Sequence, residues 1–152
     1  MSALDADRVD LLATPSDPSL TVGVDIVEIS RIATTVGRYG ERFLARVYTA
    51  DERAYAAGRA PALAVRFAAK EATAKALGTG IGPVGWRNIE IRNDAAGKPS
   101  VLLHGAAAIV ARRGGFLEWQ VSVTHSRDLA AAFVVGFRAE TSRRTADSNG
   151  NR

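Results

Sequence analysis

The chain has 152 residues, 47% of them hydrophobic, which suits a single domain able to bury a core. It contains no cysteine, so disulfides and thiolate metal sites are excluded, and no apolar run reaches the length of a membrane span. The net charge of +4 favours an acidic partner or a phosphate-rich small molecule. The sequence lacks an aromatic-interleaved basic run and zinc-finger spacing, which weighs against nucleic acid, and the absence of a secretory signal predicts a cytoplasmic location.

Polar segments flank the central part of the chain. Residues 1–19 carry four aspartates, one arginine and two prolines, and the last residues are rich in Thr, Ser, Asn and Arg without an apolar stripe. Such compositions bury too little apolar surface to fold. We therefore predict a flexible N-terminal extension over 1–19, one folded domain over 20–138 and a disordered polar tail over 139–152.

The first structured element is a buried strand over residues 21–27, rich in β-branched side chains. Asp25 lies near its end, where a carboxylate needs a cation, a helix cap or a metal to offset its desolvation. Capping of the helix that begins near Glu28 is one interpretation, and participation in a charged site is the other.

That helix has an apolar stripe of Ile29, Ile32, Ala33 and Val36, with Arg31 on a different face. A capping box over residues 49–52 predicts that another helix starts near Thr49. Further arginines give the region a cationic surface: Arg38, Arg42, Arg46 and Arg53. We expect most of these arginines to be solvated.

The longest predicted helix starts near Pro61 and ends at Gly78. Small residues recur on it at spacings of three and four, which indicates a narrow packed face. Glu71 and Lys75 are four residues apart, so a carboxylate and an ammonium are expected side by side, either as a solvated ion pair or as part of a site. The glycine-rich segment 78–82 comes next, and we expect it to be a loop whose backbone, at Gly78 and Gly80, can approach a ligand closely.

The second half of the sequence is typical of a sheet. Alternating apolar residues predict a hairpin over residues 86–93 and 99–104, joined by a turn, and a short helix closes at Gly114. Two further strands are predicted over residues 118–124 and 129–137. The chain is therefore expected to adopt an α+β fold, with a mostly antiparallel sheet of about five strands packed with one long helix and shorter helices.

Four motifs, in order, resemble a known family. They are Gly23-Val24-Asp25-Ile26-Val27-Glu28-Ile29-Ser30-Arg31-Ile32, then Arg66-Phe67-Ala68-Ala69-Lys70-Glu71-Ala72 continuing to Gly82, then Asn93-Asp94-Ala95-Ala96-Gly97-Lys98-Pro99, then Val121-Ser122-Val123-Thr124-His125-Ser126. Together they are similar to the holo-acyl-carrier-protein synthases, the short, single-domain 4'-phosphopantetheinyl transferases. The similarity covers residues 21 to 137.

The resemblance implies an activity. Members of this family move 4'-phosphopantetheine from coenzyme A to a serine of apo acyl carrier protein, releasing adenosine 3',5'-bisphosphate, with a divalent cation that is usually Mg²⁺. Attack on a diphosphate needs such a cation to neutralise developing charge, and Mg²⁺ often takes one or two carboxylates. Asp25 and Glu71 are the carboxylates we assign to it, and the proton acceptor is either Glu71 or a water.

Other site residues are assigned from the same motifs. Lys75 is expected to stabilise the departing bisphosphate, while Arg66 and His125 hold phosphates of coenzyme A. The resemblance also implies that Lys98 and Pro99 lie at the coenzyme A site. The alternative for Lys98 is a solvated charge at the edge of the hairpin.

Partners are also implied by the resemblance. Arg31 and its neighbours would face the acidic recognition helix of the carrier protein. The chain would be a homotrimer with sites at subunit boundaries, where Asp25 and Arg31 face Glu71 and Lys75 of a neighbour. The alternatives are a non-catalytic trimeric module that binds the carrier protein, or a nucleic-acid-binding module with strongly salt-dependent affinity.

Overall fold

The computed structural model describes residues 19–138, so the tail and all of the N-terminal extension except Ser19 lie outside the described residues. Its strands are β1 (Leu20–Glu28), β2 (Ile89–Asn93), β3 (Pro99–Leu103), β4 (Phe116–His125) and β5 (Leu129–Arg138). Its helices are α1 (Ile29–Tyr39), α2 (Glu41–Val47), α3 (Ala50–Ala56), α4 (Ala60–Leu77), α5 (Ile81–Val84) and α6 (Gly105–Gly114), with a 3₁₀ turn at Trp86–Asn88. No helix within residues 19–138 combines the length and apolar character needed to span a bilayer.

The α+β fold class and the five strands are confirmed, but the strands form two sheets. One is three-stranded in the order β1-β5-β4, the other is the β2-β3 hairpin, and all pairs are antiparallel. Alternation of apolar residues predicts each strand, whereas pairing between distant strands depends on packing that periodicity does not encode.

Helix α4 lies at the centre of the structure and packs against β1 and β5. Its predicted ends are confirmed, because Pro61 is in its first turn and Gly78 caps it with a left-handed φ of 77°. The prediction that only a narrow, small-residue face of α4 is packed is wrong. Arg66, Lys70 and Thr73 are buried as well as the alanines, so α4 is covered on most sides.

The segment after α4 is shorter than the loop predicted over residues 78–82. Gly78 and Gly80 have left-handed φ values of 77° and 67°, but α5 begins at Ile81 and includes Gly82. Pro83 lies within the first turn of α5, where a missing N–H costs nothing. Only residues 78–80 therefore form the glycine-rich connection that was expected.

Strand β1 touches α4 at a position where only glycine fits. A Cβ atom added to Gly23 would lie 1.8 Å from the carbonyl oxygen of Ala72. Nearby, the hydroxyl of Thr21 donates a hydrogen bond of 2.7 Å to the carbonyl oxygen of Ala76. The missing side chain lets the strand backbone lie directly on the helix backbone, which fixes the second half of β1 against the later turns of α4.

A buried ion pair fastens the hairpin and α3 to α4. Lys70 Nζ lies 2.8 Å from Glu52 Oε2, and both side chains are fully buried. Lys70 also donates to the carbonyl oxygens of Trp86 and Ile89 at 3.0 and 2.5 Å, and Glu52 Oε1 accepts from the Ile91 amide at 2.9 Å. The predicted capping box at Thr49 is confirmed and uses the same glutamate. Such a pair tolerates burial only because its polar atoms are bonded on several sides.

One face of the three-stranded sheet turns away from α4, and this face is apolar along β1 and β5. The exposed residues on this outer face are Leu20, Val22, Val24, Ile26, Phe133 and Phe137. The register places Val24 beside Phe133 and Leu20 beside Phe137, so the residues form one contiguous patch. Contiguous apolar patches of this kind commonly mark protein–protein contacts.

We predict that Gly23→Ala destabilises the protein, because the added methyl group overlaps the Ala72 carbonyl and must push β1 off α4. Overpacking of this kind costs about 1–3 kcal/mol or more, and chemical denaturation would measure it. Gly37→Ala is the matched control, since a Cβ there meets nothing within 4 Å and alanine is a better helix former by about 1 kcal/mol. Equal stability of the two variants would contradict the proposed close contact.

Candidate functional site

Asp25 and Lys75 form an ion pair between β1 and α4. Asp25 lies two residues after Gly23, on the same face of the strand, and its side chain is 17% exposed. Lys75 Nζ lies 2.8 Å from Asp25 Oδ1 and donates to the carbonyl oxygen of Val24 at 2.9 Å. The alternative capping role for Asp25 is wrong, because β1 continues to Glu28 and Glu28 itself is the N-cap residue of α1.

Glu71 lies close enough to this pair for the charges to interact. Partial burial raises the pKa of the Glu71 carboxyl, and the negative charge of Asp25 raises it further, while Lys75 and Arg31 act in the opposite direction. Lys75 bonds to Asp25 rather than forming the expected close pair with Glu71. Two acidic side chains from distant segments thus share one neighbourhood with two cations, all within one chain. Asp25 thus meets Glu71 and Lys75 of its own chain, and the expected contacts of Asp25 and Arg31 with a neighbouring subunit stay a prediction.

The donor chemistry of this cluster fits a hard divalent cation. Asp25 and Glu71 offer carboxylate oxygens, and no group of three or more candidate metal-ligating side chains occurs within residues 19–138. Mg²⁺ is commonly held by one or two carboxylates, with waters and substrate phosphates as its other ligands. The negative charge of Asp25 disfavours ionisation of Glu71, and a cation bound between the two carboxylates would relieve that repulsion.

A cavity of about 520 Å³ is lined by several of the residues predicted to bind coenzyme A. It lies between α3, α4, the hairpin turn and the end of β4. Its polar and basic lining includes Tyr55, Arg59, Arg66, Asn93, Thr124 and His125, beside Gly97 and Pro99. Asp25, Glu71 and Lys75 do not line it. The fold thus divides the predicted residues into a carboxylate–lysine cluster and a basic cavity.

Arg66 is the most deeply placed cation of this cavity, with 3% of its surface exposed. Its guanidinium donates to the carbonyl oxygen of Ala62 at 3.1 Å and to the side-chain oxygen of Asn93. Its Cζ lies 4.2 Å from the ring centroid of Tyr55. Burial lowers the pKa of the guanidinium. Its buried Nε has no hydrogen-bond partner among the described residues, which leaves one donor available for a ligand oxygen.

The remaining predicted residues lie at the edges of these two regions. His125 is exposed, with Nδ1 3.2 Å from the carbonyl oxygen of Ser126. Lys98 is exposed next to Pro99, and its backbone amide donates to Asp94 at 2.9 Å in the hairpin turn. Arg31 is exposed on α1. The roles assigned to these residues, and to Gly78 and Gly80 beside Lys75, stay predictions.

Sequence reasoning missed Tyr55 and Arg59 and gave Asn93 no role of its own. Tyr55 lies in the last turn of α3 and Arg59 follows the helix by three residues. Nothing in their spacing indicates that α3 folds back over Arg66. Asn93 is the last residue before the predicted turn. Its polar side chain at the end of a strand is the one feature of the sequence that could have suggested a contact with Arg66.

Another cavity, of about 450 Å³, opens beside the cationic surface of α1 and α2. Its lining combines aromatic and basic side chains: Thr35, Tyr39, Arg42, Phe43, Arg46, Val47, Phe67 and Trp86. Phe67 and Trp86 stack with ring centroids 4.6 Å apart. Phe67 precedes Glu71 by one turn on α4, so this apolar groove adjoins the carboxylate cluster.

Comparison with known proteins gives consistent matches. The model of the 4'-phosphopantetheinyl transferase superfamily matches residues 21–134. A holo-[acyl-carrier-protein] synthase of Herpetosiphon aurantiacus is 49% identical over 124 residues, which are 77% of this chain and 98% of the relative. The crystal structure of the synthase from Neisseria meningitidis has a TM-score of 0.71 at 38% identity, over 78% of this chain and 98% of that chain. The Helicobacter pylori synthase in complex with coenzyme A has a TM-score of 0.70 at 30% identity, over 76% and 98%.

We predict opposite shifts of the Glu71 titration when its two charged neighbours are removed. Asp25→Asn should lower the pKa of Glu71, because a negative neighbour favours the protonated form. Lys75→Met should raise it, because a positive neighbour favours the carboxylate. Carboxyl-carbon NMR would follow Glu71 in each variant. A midpoint that moves in neither variant would show that the three groups do not share one site.

Proposed function

Because this chain belongs to the 4'-phosphopantetheinyl transferase superfamily, we propose that it transfers 4'-phosphopantetheine from coenzyme A to a serine of apo acyl carrier protein. The family resemblance read from its motifs is thereby confirmed. The observation that carries the proposal is the meeting of Asp25, Glu71 and Lys75 in one chain, since the reaction requires carboxylates and a cation around a diphosphate.

In the proposed reaction, the serine oxygen forms a bond to the phosphorus of phosphopantetheine, and the bond from that phosphorus to the bridging oxygen breaks. Adenosine 3',5'-bisphosphate leaves with that oxygen, and the serine proton passes to Glu71 directly or through a water. Lys75 stands beside Asp25 and stabilises charge on the departing phosphate. Asp25 and Glu71 would hold Mg²⁺, which when bound neutralises charge on the diphosphate.

The basic cavity supplies the proposed anchor for the remainder of coenzyme A. Arg66 presents a buried guanidinium with one free donor, and Arg59 adds a second cation at the same cavity. The exposed ring of His125 can bond to a phosphate at its rim. The synthase from Helicobacter pylori carries coenzyme A in its structure, which supports the same ligand here.

The surface of α1 and α2 is the proposed docking site for the carrier protein. Arg31 interacts electrostatically with Glu71, so it lies beside the reactive cluster. The groove lined by Phe43 and Phe67 has arginines 42 and 46 at its edge. An acidic helix with one apolar side chain fits such a surface, because opposite charges steer it and the groove accepts the side chain.

The outer face of the three-stranded sheet supports the proposed homotrimer. Its apolar residues on β1 and β5 are too many and too contiguous for a face left in water. By the family resemblance, such a trimer would have its sites at the subunit boundaries. The expected cytoplasmic location stays a prediction.

The test of the proposed activity is mass spectrometry of apo carrier protein incubated with the protein, coenzyme A and Mg²⁺. We expect the mass of the phosphopantetheine arm to be added. Asp25→Asn and Glu71→Gln should each lower the rate about 100-fold or more, since each removes charge stabilisation at the diphosphate.

Asp51→Asn serves as the matched control, because its side chain is 74% exposed and its ion pair, with Arg92, is long at 3.5 Å and lies at the surface. It should keep the wild-type rate. Absence of transfer to a validated carrier would reject the activity. Full rates in Asp25→Asn and Glu71→Gln would reject the assigned residues while leaving the activity standing.

A further inference from the structure

The ring of Tyr55 lies against Arg66, the buried arginine of the basic cavity. Its ring centroid is 4.2 Å from Cζ of Arg66 and 6.0 Å from Cζ of Arg59, so the ring contacts two guanidinium groups. The residue is itself 45% exposed. A half-exposed aromatic ring contributes little to the core, so its contacts with the two cations are its main interactions.

Arg66 is held by hydrogen bonds at the edge of its guanidinium and by the ring of Tyr55 against its face. The carbonyl oxygen of Ala62 and the side chain of Asn93 take hydrogen bonds from its two terminal nitrogens. These bonds lie in the plane of the group and limit its position along that plane. A ring stacked on the group limits rotation out of that plane and attracts the cation through its electron-rich face.

The same ring contacts two groups of like charge, Arg59 and Arg66. The positive charge of Arg59 acts to lower the pKa of Arg66, which shows that the two guanidinium groups interact. Arg59 is fixed to the end of α3 by bonds to the carbonyl oxygens of Ala56 and Tyr55, at 3.0 and 2.8 Å. Two cations kept near one another without a bound anion repel, and a dianionic phosphate relieves that repulsion.

We propose that Tyr55 is a positioning residue that holds Arg66, in the same cavity as Arg59, in the orientation needed to bind a phosphate of coenzyme A. This inference rests on the proposed function and adds a residue that sets affinity for the donor. A free arginine side chain loses rotamer entropy when a ligand orders it. Because Tyr55 orders Arg66 before the ligand arrives, that cost is not taken from the binding energy.

The test compares Tyr55→Leu with Tyr55→Phe in the full chain. Leucine removes the aromatic face at similar bulk, whereas phenylalanine keeps it and loses only the hydroxyl. Tyr55→Leu should raise KM for coenzyme A and Kd for adenosine 3',5'-bisphosphate about fivefold to thirtyfold, the range of one cation–π contact of about 1–2 kcal/mol. Its kcat and its KM for carrier protein should stay within about twofold of wild type.

Tyr55→Phe keeps the aromatic face and should restore most of the lost affinity; any remaining loss measures the hydroxyl, which also interacts with Arg66. Unchanged binding in Tyr55→Leu would overturn the proposal, as would tighter binding, since the ring would then be a cover over Arg66. A fall in kcat at constant KM would overturn it as well. If the wild type neither binds the bisphosphate nor transfers the arm, the proposed function fails together with this inference. Failure of the variants alone leaves the proposed function intact.

Discussion

The contact between Gly23 and the backbone of Ala72 is the constraint on which the site depends. It allows β1 to lie on α4 without an intervening side chain, and Thr21 adds a hydrogen bond to the next turn of the helix. Asp25 comes two residues later on the same face, so it reaches Lys75 and the field of Glu71. A bulkier residue at position 23 would separate two carboxylates that stand 46 positions apart in the sequence.

The buried Lys70–Glu52 pair gives the same helix a second fixed neighbour. It ties α3 and β2 to the side of α4 that carries Arg66, whereas β1 is tied to the side that carries Lys75. Replacing one partner alone would leave an uncompensated buried charge, at a cost of about 3–5 kcal/mol. Helix α4 therefore carries residues of both the carboxylate–lysine cluster and the basic cavity. Each of these two regions is positioned by a different tertiary contact rather than by a loop.

Much of this arrangement is predictable from local pattern. The ends of α4, the capping box at Thr49, the hairpin and the α+β class can be inferred from spacing, turn residues and alternation, which act over a few residues. The motifs also identify Asp25, Glu71 and Lys75. The features that the sequence does not predict depend on contacts between distant segments. Three such features are the split into two sheets, the bonding of Lys75 to Asp25 instead of Glu71, and the contact of the Tyr55 ring with Arg66.

The central claim is that Asp25 and Glu71 of one chain bind one divalent cation against the diphosphate of coenzyme A. Electron paramagnetic resonance with Mn²⁺ in place of Mg²⁺ tests it directly, because free and protein-bound Mn²⁺ give different spectra. In the presence of coenzyme A, we expect about one bound Mn²⁺ per chain in the wild type and its loss in both Asp25→Asn and Glu71→Gln. Undiminished Mn²⁺ binding in both variants would contradict the account.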